Sequence, residues 1–181
     1  MKRKIKAKIS LLVAGLLSMV MLACSGKMII GPGGLKHAKI GQQMPAMGTY
    51  EFEGKPVIDT FFQDGDYEWR VSMIKYPRGW VYLEEDFWEK DQINRIRVET
   101  DEFKLKNGLK VGSTVSELKE SSDRWTIVPM PDFGLWDFYS EFLPRIHFVV
   151  DDKSVEMDEN REAYNIREFD SVAKVKMVVV F

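Results

Sequence analysis

Few residues in this 181-residue chain are of a type that does chemistry. Its one cysteine, Cys24, lies in the stretch MLACSGK, residues 21–27, between an apolar run and a glycine-rich one. A thiol there could act as a nucleophile, a metal ligand or the acceptor of a covalent group. There are two histidines, His37 in the glycine-rich stretch and His147 in RIHFVVD. If Ile146 and Phe148 face a core, strand alternation puts His147 on the opposite face beside Arg145. A proton shuttle or ligand would want a carboxylate or a second ligand nearby, so the default is a surface strand residue.

Acids gather at DDKSVEMDENRE, residues 151–162. A calcium loop needs alternating oxygen ligands and a glycine at its turn, but here Lys153 and Val155 fall on ligand positions, so a solvated loop is expected. Glu84, Glu85 and Asp86 contain the carboxylates a glycosidase would use, but neighbours on a strand point to opposite faces. No phosphate loop, nucleophile elbow or zinc helix is present. The G-x-W of Gly134 and Trp136 is spaced as in lipocalins but sits too late in the chain. These residues lead us to expect no catalytic residue, no metal site and no cofactor. The most unusual composition is PMPDFGLWDFYSEFLP, residues 129–144, where Phe133, Trp136, Phe138, Tyr139 and Phe142 fall between prolines. It reads as a long loop or short broken element, and the rings serve either as core packing or as the anchors of a binding surface.

The N-terminus explains the cysteine. Lys2, Arg3, Lys4, Lys6 and Lys8 precede the apolar run ISLLVAGLLSMVMLA, residues 9–23, which is short for a membrane span and ends in a small residue. This is the pattern of a secretory signal peptide over residues 1–23. Met21, Leu22, Ala23 and Cys24 resemble the lipobox of bacterial lipoproteins cleaved by signal peptidase II, well at the last two positions and loosely at the first two. The resemblance implies that Cys24 becomes the new N-terminus and carries acyl chains, that the protein is held in the cell envelope, and, from Ser25, that it is sent to the outer membrane. The alternative is an ordinary signal with a chance cysteine. Lipidation would consume the only thiol and leave no disulfide to stabilise the 158 remaining residues. Loss of the five cations takes the formal charge from −2 to −7, a balance unsuited to nucleic acid.

Residues 24–38, with Gly31, Pro32, Gly33 and Gly34, read as a tether, although Met28, Ile29 and Ile30 make it less polar than a pure linker and suited to docking part of it on the domain or at the membrane surface, and residues 39–181 read as one domain. In YEWRVSM the apolar residues Tyr67, Trp69, Val71 and Met73 alternate with polar ones, predicting a strand. With turns at QDGD and YPRG, residues 56–101 make an antiparallel meander of about four strands. Further strands are predicted at 124–129, 145–151 and 172–181. A short helix starts after Thr114, with Glu117 as capping partner and Val115 and Leu118 buried. Lys39-Ile40-Gly41 recurs as Lys110-Val111-Gly112, and residues 94–98 recur as 173–177, which suggests modules over 39–101 and 110–181. In their terminal strands Ile96, Val98, Val175 and Met177 face the core and the basic residues face water. Short patterns of this kind also coincide by chance in β-rich chains.

The fold class expected is α+β, predominantly antiparallel sheet with one or two short helices. Helix-plus-sheet modules of this kind, through VGSTVSEL and the paired terminal strands, resemble the β-lactamase-inhibitor-protein fold and small outer-membrane-assembly lipoproteins. The resemblance implies macromolecular recognition without catalysis. The expected function is a lipid-anchored binding or scaffold module for an envelope protein or surface polymer. The alternative is a lipocalin-like carrier of a small apolar ligand, which requires a closed barrel, and an envelope hydrolase using the acids ranks third.

Overall fold

The computed structural model describes residues 28–181 apart from Phe87, Asp123 and Glu159. Cys24 and the signal segment, which carry the lipidation expectation, lie outside the described residues. Strands β1 (Met28–Ile29), β2 (Glu51–Phe52), β3 (Lys55–Asp64), β4 (Tyr67–Tyr76), β5 (Gly79–Glu85), β6 (Ile93–Val98) and β7 (Phe103–Lys104) precede one helix, α1 (Val115–Ser121). Strands β8 (Thr126–Met130), β9 (Leu135–Tyr139), β10 (Ile146–Asp151) and β11 (Lys174–Val180) follow. The fold is mostly β: the predominantly antiparallel sheet and one short helix of the expectation are present, but a single seven-residue helix among the described residues makes the class mostly β rather than α+β. Nine strands form one sheet in the order β2-β3-β4-β5-β6-β11-β10-β9-β8. The sheet is open, since β2 and β8 are its two edges, and the closed barrel of the carrier reading is not formed.

Tight turns build the first meander. Asp64 pairs with Tyr67 across a two-residue turn in which Gly65 takes φ 58°. Tyr76 pairs with Gly79 across Pro77 and Arg78, and a side chain at Gly79 would overlap the carbonyl of Glu99. The predicted strands at 124–129, 145–151 and 172–181 appear as β8, β10 and β11, and β9 is an addition. Residues 129–139 are therefore the tip and second strand of a β8–β9 hairpin, and only residues 140–144 are loop. The hairpin's apolar residues are aromatic and interrupted by Asp137, so alternation within LWDFY was masked by ring density.

The two halves of the sheet repeat one another closely. The Gly41 N–H donates to the Ile93 carbonyl at 2.7 Å, the Ile93 N–H to Gln42 at 2.8 Å and the Met44 N–H to Asp91 at 2.7 Å. In the second half Gly112 donates to Val175 at 2.8 Å, Val175 to Ser113 at 2.8 Å and Val115 to Ala173 at 2.9 Å. Each half also has one register shift, between Glu84 and Glu85 against β6 and between Val149 and Val150 against β11. Together these bonds equate Ile93 with Val175, three residues away from the correspondence the sequence patterns suggest. At the seam, Val98 pairs with Val178 and Ile96 with Val180, each the counterpart of the other, and Arg97 pairs with Val179, its own counterpart. A local two-fold axis therefore passes through the Arg97–Val179 pair. Because of the shift, Met177 pairs with Val149 on the face opposite Val175 and is not the core residue expected.

One face of the sheet carries the core. Val81, Leu83, Ile96, Val98, Phe138, Phe148, Val178 and Val180 are covered by Ile30, Leu35, Ala38, Met44, Leu105, Leu109 and Phe169 and by Val115 and Leu118 of α1. The helix starts where predicted: Thr114 Oγ1 accepts from the Glu117 N–H at 3.2 Å and Glu117 Oε2 from the Thr114 N–H at 2.6 Å. Residues 28–38 are not a tether. Met28 pairs in parallel with Phe103, Ile30 donates to the Lys104 carbonyl at 2.9 Å, and Ile30, Leu35 and Ala38 are buried. Their glycines permit close packing, since a Cβ on Gly34 would come within 2.8 Å of the Ile96 side chain.

Where the second half has α1, the first has the segment around Pro45, held by charge. Arg70 Nη2 donates to the Pro45 carbonyl at 2.7 Å and to Asp59 Oδ1 at 2.9 Å. Ser72 Oγ also donates to Asp59 Oδ1, at 2.6 Å, and the Gly48 N–H to Asp59 Oδ2, at 2.8 Å. Burial pushes the Asp59 carboxyl up, but the hydrogen bonds from Ser72 and Gly48 and the Arg70 guanidinium outweigh it and hold the group below the ordinary 3.8.

Candidate functional site

The second face of the sheet is built by the strands alone. Register places Ile58, Met73, Tyr82, Arg97, Val179, His147, Tyr139 and Thr126 in one row across eight strands. Val71, Tyr82 and Val179 are buried yet lie outside the main core cluster, as expected for a second layer on the far side of the sheet. The ring and cation contacts of this face join sheet residues, with Phe181 just past β11, to one another.

In the first half these contacts centre on Glu84, which is 1% exposed. The Trp69 indole donates to Glu84 Oε2 at 3.1 Å, and Arg95 Nε donates to the same oxygen at 3.0 Å, with Arg95 Nη2 closer still. Arg97 Nε lies 3.5 Å from Glu84 Oε1 and 3.7 Å from Glu99. The guanidinium of Arg97 stacks over Tyr82 at 4.2 Å and over Phe62 at 5.3 Å, and Phe62 meets Trp69 edge-on at 6.2 Å. Burial, and then the hydrogen bond of Tyr82 to Glu99 at 3.0 Å, push the Tyr82 hydroxyl up to about 12, so the ring stays neutral.

The second half places His147 where the first has Tyr82. Its Nδ1 lies 2.8 Å from Asp137 Oδ2, its ring stacks on Tyr139 at 4.7 Å, and Phe181 closes on it edge-on at 4.8 Å. His147 thus has the carboxylate neighbour that the sequence did not reveal, because the partner is on β9, read as a loop. No hydroxyl shares a hydrogen bond with His147 among the described residues, so the pair lacks a nucleophile of the triad kind. Nor do the described residues gather three or more His, Cys, Asp or Glu able to hold a metal. The face can stack rings, offer guanidinium edges and exclude water.

The five aromatics proposed as one surface are dispersed. Trp136 and Phe138 are fully buried in the core, where the Trp136 indole donates to the Asp152 carbonyl at 3.0 Å. Alternation along β9 turns Tyr139 to the open face. Phe133 and Phe142 are 70% and 65% exposed and lie beyond opposite ends of β9. The acidic loop is not wholly solvated either. Asp152 is buried and its carboxylate accepts from the Ser154 N–H at 2.8 Å and the Asp170 N–H at 2.7 Å, fixing the loop. Sequence reasoning missed Trp69, Glu84, Arg95 and Arg97 as a unit. The signal was a carboxylate and two arginines on neighbouring alternating strands, where opposite charges pair across the ladder.

No protein-family model matches the chain, and no curated protein matches it in sequence. Among solved structures it is similar to the crystal structure of the uncharacterized protein YfeY from Escherichia coli, with a TM-score of 0.59. That likeness has 14% sequence identity and covers 85% of this chain and 98% of the other. The two chains therefore share a fold.

Proposed function

We propose that this is a lipid-anchored envelope protein, acylated at Cys24, whose open sheet face binds another protein or a surface polymer without catalysing a reaction. The observation that carries the reading is the row in which the half-buried Met73, Arg97, His147 and Tyr139 are seated around the buried Tyr82 and Val179, on a sheet whose other face is the core. Aromatic and arginine side chains held by their neighbours lose little entropy on binding, as interface anchors require. The repeated hydrogen bonds of the two halves support an origin by duplication, in keeping with the resemblance to two-module inhibitor-like folds. Photo-crosslinking residues placed at Met73 or Tyr139 in cells should give a discrete adduct that excess unlabelled protein suppresses, with none from Phe133. Adducts from Phe133 alone, or from no position, would reject the face.

A further inference from the structure

An apolar cleft of about 510 Å³ opens in the half of the molecule that lacks a helix. Met28, Leu35, Phe52, Ile74, Tyr76 and Phe103 form its walls, so the N-terminal segment, one edge of the sheet and β7 meet there. Its mouth is charged. Lys36 and Lys55 line it, and neither has a salt-bridge partner among the described residues; Lys55 Nζ sits 5.5 Å from the centre of the Tyr76 ring. The carboxylate at the rim, Glu53, lies 3.4 Å from His37.

Apolar walls of this volume with cations at the entrance are complementary to a long-chain fatty acid, whose chain needs a dry slot and whose carboxylate needs a positive partner. We propose that the cleft binds a single free fatty acid, chain inward, with its carboxylate at Lys36 and Lys55. Met28 lines the cleft only four residues after Cys24, so on the lipid-anchor reading the mouth lies near the bilayer that would supply the ligand. The binding itself rests on neither the anchor nor the open sheet face.

Residues 25–181 include every described element and no thiol. Titrating this chain with the fluorescent fatty acid cis-parinaric acid should give saturable emission. Displacement by saturated fatty acids of rising length should tighten by about fourfold per methylene until the slot is full. Ala38 also lines the cleft, and Ala38→Leu, or Met28→Trp should the first variant fail to fold, should abolish the signal while the melting transition persists. Lys36→Glu with Lys55→Glu should weaken fatty acids by about tenfold or more and leave the matching alcohol unchanged. No saturable emission from the unaltered chain, equal binding by the filled variants, or equal losses for acid and alcohol would each overturn the proposal. Failure of photo-crosslinking at Met73 and Tyr139 would not, because those residues do not line the cleft.

Discussion

Asp59 shows how one carboxylate replaces a helix. It receives Ser72, Gly48 and Arg70 while only 14% of its side chain, and 4% of that of Arg70, reaches solvent. A carboxyl held below its ordinary value contributes stability that is complete above the unfolded value and lost as pH falls through the folded one. The stability lost in Asp59→Asn should therefore be constant above about pH 5 and shrink on acidification below it, as read by urea unfolding at each pH. At neutral pH the loss should be about 3–5 kcal/mol, because Arg70 is left buried without its anion. None of this was legible in the sequence. Asp59 and Arg70 are eleven residues apart and meet only because the β3–β4 register puts Phe61 opposite Arg70 and Asp59 opposite Ser72.

Among the elements, those with local signals were readable and those defined by pairing were not. The first meander, with turns at Gly65 and Gly79, and the capped start of α1 follow from short-range chemistry that the sequence spells out. Thr114→Ala should cost about 1 kcal/mol in chemical denaturation, since it removes the acceptor for the Glu117 amide in a helix of only two turns. A Thr114→Ser substitution should restore most of it. Strand β9 was missed because its rings resembled an exposed cluster. The docking of segment 28–38 was legible only in part, from the apolar Met28, Ile29 and Ile30, because glycines that read as flexible are there for close contact, Gly34 against Ile96. The candidate face was illegible for the same reason as the Asp59 cluster. Which of Glu84, Arg95, Arg97 and His147 share a side depends on register and on two bulges that no local pattern marks.

For the molecule as a whole, the integration of residues 28–38 changes how an anchored chain would sit. Only Ser25, Gly26 and Lys27 separate Cys24 from β1, a reach of roughly 14 Å at full extension. Cys24→Ser should move the protein from the membrane fraction to the soluble fraction, or leave an uncleaved precursor, on detergent partitioning; unchanged partitioning would refute acylation. Apart from the two pairs that hold the two-residue edge strand β2, the sheet is most thinly joined at its centre. Three ladder pairs connect β6 to β11, whereas eight connect β3 to β4. A broad plate stitched by so short a seam should flex along that line first. The crease runs under Arg97 and Val179, so whatever settles on the plate's bare side also sets the angle between its two leaves.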